Sequence, residues 1–135
     1  MRFEVDYRTA LLQYAPLAAA LASGSPASYN IGVRLSQPAV FPSIRFQRIS
    51  TARMYSMEGQ NALCQARVQN DCWSNTNTGA LALGDLLIQA IDTLTLGGRG
   101  KPNFIVNQWF DQEAEPEQIV YRVIIDAKIY FIDSV

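Results

Sequence analysis

The stretch closest to a nucleotide-binding element is Gly97-Gly98-Arg99-Gly100-Lys101-Pro102. A phosphate loop needs Gly-x-x-x-x-Gly-Lys-Ser/Thr between a strand and a helix, so that backbone N–H groups cradle the phosphates. Thr95 stands where the first glycine belongs, and Pro102 replaces the hydroxyl residue. The segment also follows a helical pattern, so it reads as a helix stop and turn. Asp111, Glu113, Glu115 and Glu117 alternate further on. Paired carboxylates can do acid–base work, or bind calcium where the backbone turns tightly around the ion. With no glycine-containing calcium loop, Asp111–Glu117 reads as a solvated acidic loop, with a partner-docking surface as the alternative. Cys64 and Cys72 are the two thiols, too few for a four-ligand zinc site. Eight positions apart on one expected strand, they lie roughly 26 Å from each other, outside disulfide reach. They are expected to be buried structural thiols in a reducing compartment. The sequence contains no histidine, which excludes Ser-His-Asp and Cys-His catalysis and His-ligated zinc. No catalytic, cofactor-binding or metal-binding constellation emerges.

Arg45, Arg48, Arg53 and Arg67 lie on or near an expected hairpin, and Tyr55 sits at its tip. Arginines beside an aromatic can hold phosphates while the ring stacks on a base. Glu58 and Asp71 dilute the patch, so solvated or intersubunit arginines are the favoured reading. Met54, Tyr55 and Met57 at the tip are either an apolar contact site or a lid folded over the subunit's own core. Trp73 and Trp109 read as core or interface anchors.

These side chains must be positioned by regular elements. Asp6 can cap a helix over Tyr7–Tyr14, and Tyr7, Leu11, Tyr14, Ala18 and Leu21 recur at helical spacing. Pro16 interrupts that stripe, either kinking the helix or starting a second one. Ser23-Gly24-Ser25-Pro26 ends the helical region, Tyr29–Leu35 is a short candidate strand, and Ser36–Pro42 is a loop. Ser43–Ser50 is a strand with Ile44 and Phe46 on one face and Arg45 and Gln47 on the other. Thr51–Asn61 is mostly polar, with a turn at Glu58-Gly59, and forms the protruding tip of a long hairpin. Ala62–Trp73 is the returning strand. Its apolar face holds Cys64, Ala66, Val68 and Cys72, with Asn70 as the exception; Gln65, Arg67, Gln69 and Asp71 share the other face. After the cap-rich turn Ser74–Thr78, a helix over about Gly79–Leu94 places Leu83, Leu87, Ala90, Ile91 and Leu94 on one side. Asn103–Phe110 is a strand with Phe104 and Val106 on one side. Gln118–Ile132 is the longest strand. Its face from Ile119 to Phe131 is wholly apolar, and the other, with Val120, Arg122, Ile124, Asp126, Lys128 and Tyr130, is mixed. Such a mixed face often meets a neighbouring subunit. The fold class expected is α+β: a mixed, mostly antiparallel sheet with two helical segments packed on one face, as a single domain over residues 1–135.

Composition agrees. The 135 residues suit one core, and 49% apolar with 17% charged residues argues against disorder and for an assembly that hides part of the surface. Eleven Lys and Arg against twelve Asp and Glu leave a formal charge of −1, so strong electrostatic binding of nucleic acid or anionic membrane is not expected. Leu17–Ser23 is apolar and small, but Glu4 and Asp6 beside Arg2 and Arg8 do not make the basic flank of a signal peptide. No stretch reaches the ~20 apolar residues of a membrane span.

The run Pro42-Ser43-Ile44-Arg45-Phe46-Gln47-Arg48-Ile49-Ser50, the Glu58-Gly59 turn, and Ala66-Arg67-Val68-Gln69-Asn70-Asp71-Cys72-Trp73 before an amphipathic helix resemble the tail-completion, or tail-terminator, proteins of long-tailed bacteriophages. The closing strand Tyr121–Tyr130 and the alanine-rich N-terminal helices are similar too. Asn70 stands where the family pattern has an aliphatic residue, and Ser43 where it has an aromatic. The resemblance implies a non-enzymatic virion protein that needs no cofactor. It implies a hexameric ring that caps the head-proximal end of the tail tube and joins it to the head connector. Its partners would be copies of itself, the tail tube protein and the connector proteins, with DNA only as cargo passing through the lumen and no membrane. Its place would be the virion neck or tail, after assembly in the host cytoplasm. A neighbouring neck or head-completion subunit is the alternative. The interface candidates are Arg45, Arg48, Met54, Tyr55, Met57, Arg67, Arg122, Asp126 and Lys128.

Overall fold

Alternation puts Cys64, Ala66, Val68, Asn70 and Cys72 on one side of a strand, and all five are fully buried. That strand, β3 (Gly59–Ser74), is the middle of a five-stranded sheet ordered β1-β2-β3-β5-β4 in a computed structural model. The structure describes residues 3–22, 31–33, 42–56, 59–94, 103–115 and 118–132. β2 (Ser43–Ser56) and β5 (Gln118–Ile132) flank β3 antiparallel, and β4 (Phe104–Glu115) pairs antiparallel with β5. β1 (Ile31–Gly32) pairs parallel with Ile44 and Arg45 and makes the sheet mixed. β5 keeps the expected bounds and faces: Val123, Ile125, Ala127, Ile129 and Phe131 are buried beside the β3 set.

The helices all cover this one face. The N-terminal segment is two helices, α1 (Phe3–Leu12) and α2 (Ala15–Leu21). Pro16 sits in the first turn of α2, where its missing N–H costs nothing. Two expectations are corrected here. Asp6 is not a cap: buried Phe3 extends the stripe Phe3, Tyr7, Leu11 back by a turn, so Asp6 falls in the helix's first turn with Glu4. Leu17, not Ala18, faces the core, because the break at Tyr14 resets the helical phase. Phe3, Tyr7, Phe46 and Phe131 interlock with ring centroids 4.9–5.5 Å apart. Each such pair adds ~0.5–1.5 kcal/mol beyond area burial.

α3 (Asn77–Thr93) starts where Thr76 accepts a hydrogen bond from the Gly79 N–H at 3.0 Å. Its buried side holds the expected Leu83, Leu87, Ala90 and Ile91, with Leu94 just beyond the last turn, and it packs on β5 and β3. Its far end is closed by a residue that the sequence pattern did not mark. Asn103 Nδ2 donates to the carbonyls of Ile91 and Leu94 at 2.8 and 3.0 Å, and Asn103 Oδ1 accepts from the Tyr130 N–H. Gly97–Pro102 lies outside the described residues.

Three further expectations change. The long hairpin is present, but its tip Thr51–Asn61 is largely strand: β2 runs to Ser56 and β3 resumes at Gly59, with Tyr55 opposite Gln60, and residues 57–58 lie outside the described residues. Ladder hydrogen bonds are made by the backbone, so polar side chains do not end the strand. Asp111–Glu117 is likewise strand as far as Glu115, paired to Gln118; residues 116–117 lie outside the described residues. Charged side chains suit an edge strand. Val106 does not continue the alternation of its strand, because a bulge falls between Ile105 and Asn107.

Candidate functional site

No described helix covers the second face of the sheet. Register builds it in rows. Asp71 on β3, Ile124 on β5 and Trp109 on β4 form one row, and Trp73, Arg122 and Asp111 form the next. Gln69, Asp126 and Asn107 make a third. On this face Asp71, Ile124, Asp126 and Val120 are each buried to within 6% exposure.

Arg122 is the hub. Its guanidinium pairs with Asp111 across β4–β5, stands 3.9 Å from Asp71, and lies 4.9 Å from the centre of the Trp73 ring. Asp111 is held below the usual carboxylate range, chiefly by the Arg122 hydrogen bond and then by the Gln112 N–H. Arg67 forks onto Asp126 with contacts of 2.6–3.2 Å, and the carboxylate holds the guanidinium charged. Gln69 Nε2 donates to Asp71, and Gln65 Nε2 to the Tyr130 hydroxyl. The face is therefore a lattice of matched charges and amides around apolar Ile124 and Val120.

Of the interface candidates, Arg67, Arg122, Asp126 and Lys128 share this face. Arg45 belongs to its β2 margin, where its Nε donates to the Val33 carbonyl at 3.2 Å. Arg48 sits on the helix side instead, paired with Glu4 at 3.0 Å and stacked over Phe3. Arg53 is on the helix side too, opposite Cys64, with its Nη1 3.7 Å from that sulfur. The four arginines of the hairpin thus do not form one patch. Met54 and Tyr55 are in β2, their side chains outside the described residues; Met57 lies outside them altogether. Sequence reasoning missed the roles of Trp73, Asp71 and Asp111 around Arg122. Asp71 and Trp73 have equal parity in the sequence, but Asp111 stands in a stretch with the composition of a loop.

The remaining features are small. A recess of about 200 Å³ lies between α1 and the end of α3, lined by Ala10, Gln13, Tyr14, Thr93 and Leu94. Among the described residues, no three His, Cys, Asp or Glu side chains converge to hold a metal, and no helix is long and apolar enough to cross a membrane. Cys64 and Cys72 are both buried free thiols. Exposed apolar side chains gather on edge strand β4: Val106, Trp109 and Phe110.

No family model matches the chain, and no curated protein matches it. Among solved structures the fold is similar to a chain in the virion of a native gene transfer agent (GTA) particle, with a TM-score of 0.51 and 14% identity. The likeness covers 94% of this chain and 96% of the other, so it runs over almost the full length of both. At that identity the likeness is one of fold.

Proposed function

We propose that this chain is a structural subunit of a phage-like virion, and within it a tail terminator. It would form a hexameric ring that caps the head-proximal end of the tail tube and meets the head connector. The observation that carries the reading is the end-to-end likeness of fold to a chain of a gene transfer agent virion. The resemblance of the Ala66–Trp73 and Tyr121–Tyr130 strands to tail-completion proteins narrows it to the terminator. The face that no described helix covers supports it physically. Aromatics and matched charges, with Asp71, Asp111 and Asp126 each beside an arginine, suit contact with protein better than turnover of a substrate. A formal charge of −1 fits a conduit that lets DNA pass without holding it.

The test is deletion of the gene from its particle, followed by electron microscopy. A terminator's loss leaves full heads unjoined and tail tubes of uncontrolled length. Tubes of normal length beside unjoined heads identify a neck or head-completion subunit instead. Normal joined particles sink both readings. Light scattering and negative-stain imaging of the purified protein check the six-fold ring.

A further inference from the structure

Among the described residues the sheet ends on β2 beyond Arg45 and on β4, and the irregularities of these two edges match in height. Among the described residues, β1 flanks β2 only at Ile44 and Arg45, so no described strand lies beyond β2 from Phe46 to Ser50. β4 is the last strand on the other side. One row crosses the sheet as Arg48, Val68, Ala127 and Ile105. Each edge strand carries a bulge next to that row, at Ile49 on β2 and at Val106 on β4. The two bulged residues therefore stand within about one residue's rise of the same level, ~3.3 Å. Both are β-branched and apolar, and both are exposed, Ile49 by 51% and Val106 by 44%.

A bulge that only guards an edge against aggregation needs no exposed apolar side chain at its tip. These edges carry apolar knobs there, and Trp109 and Phe110, on opposite faces of β4, are exposed on the same edge strand. The strands also differ in charge. β2 contains Arg45, Arg48 and Arg53 and no acid; β4 contains Asp111, Glu113 and Glu115 and no base. Arg48 is also held by Glu4 and Asp111 by Arg122, so the contrast belongs to each strand's sum, not to a single pair. β2 and β4 run in opposite directions, because three antiparallel steps separate them. A second copy turned about an axis along the strands would bring its β2 antiparallel to the first copy's β4.

We infer that the β4 edge of one subunit docks on the β2 edge of the next, with Val106 of one copy beside Ile49 of the other. The contact is head-to-tail, so it closes into a ring when its rotation divides the circle. The bulges limit continuous strand pairing and make the apolar knobs the centre of the contact. This inference rests on the proposed self-assembly and specifies where it occurs.

The experiment uses single-cysteine additions, Ile49→Cys and Val106→Cys, in the full chain and a thiol-specific bismaleimide of short reach. The native thiols are buried, so unmodified protein serves as the background control. An equimolar mixture of the two variants is expected to yield covalent dimers, the double variant a ladder of higher multimers, and either variant alone neither. Self-linking of Ile49→Cys alone overturns the head-to-tail geometry. Rings by microscopy without cross-linking overturn the edge contact and leave the ring reading intact. A chain monomeric at every concentration overturns both. As a second arm, Ile49→Lys and Val106→Lys should each keep the wild-type circular dichroism spectrum and weaken association at least about tenfold. Unchanged association in both lysine variants refutes the contact.

Discussion

The Tyr7 hydroxyl donates to Asn70 Oδ1 across 2.7 Å, joining α1 to the central strand inside the core. Asn70 Nδ2 in turn donates to the Ile125 carbonyl at 3.1 Å, which assigns the amide's orientation. Burial pushes the Tyr7 phenol far above its ordinary range, so it remains a donor. Tyr7→Phe should cost about 1–3 kcal/mol, because Asn70 Oδ1 then loses its partner in a dry site. Adding Asn70→Val should cost less than the sum of the two single changes, since each alone strands the other group. Urea unfolding of the four proteins measures this; strictly additive costs would mean that the pair is not coupled.

Both cysteines should be silent in the native protein. They are buried, and burial pushes the Cys72 thiol up, away from the reactive thiolate. Mass spectrometry after iodoacetamide treatment should show no adduct in the folded chain and two after unfolding without reductant. A missing adduct pair in the unfolded, unreduced chain would reveal a disulfide and refute the β3 register.

Asp111 predicts an acid-side change in stability. Its folded pKa lies below its unfolded value, because Arg122 and the Gln112 N–H favour the carboxylate. The contribution is complete above the ordinary carboxylate pKa and fades as pH falls through the folded one, below about pH 4. Asp111→Asn should lower the thermal midpoint at pH 7, and the difference from wild type should shrink towards pH 3. A difference independent of pH would show that the Arg122–Asp111 pair does not titrate as described.

Gly84 sits where α3 crosses β5, and a Cβ built there would meet Val123 Cγ1 at 3.0 Å. Gly84→Leu should therefore overpack the contact and cost about 1–3 kcal/mol. Gly84→Ala should be closer to neutral, because its gain in helix propensity, of order 1 kcal/mol, offsets the tight contact. A stabilised Gly84→Leu protein would mean that α3 lies farther from the sheet.

Replacing Met54, Tyr55 and Met57 together by Ser tests the end of the β2–β3 hairpin as a docking surface. The expected result is an unchanged thermal midpoint with a sharp loss of joined, infectious particles. Unfolding of the triple variant would place these residues in the subunit's own core.

Periodicity by itself determined the elements whose side chains alternate against one core. The faces of β5, the Cys64–Cys72 face of β3 and the buried side of α3 follow from spacing alone, because burial on one side imposes period two on a strand and a stripe on a helix. The absence of histidine and the wide thiol spacing also belonged to the sequence, and they bounded the chemistry before any fold was known. Asn70 was legible only as an exception: a polar residue on an apolar face becomes intelligible once Tyr7, 63 positions away, is brought against it. Arg48 and Arg67 look alike in sequence, yet one meets Glu4 under the helices and the other Asp126 on the open face. A bulge at Ile49 is what separates the parity of β2's two halves, and no local pattern announces it. Asp111 and Glu113 carry the composition of a loop, and tertiary pairing with β5 makes them strand, since an edge ladder is held by backbone groups. The face left open by the described helices and the level at which its two edges bulge exist only once four long strands are in register, because that register is a relation between segments far apart in the chain.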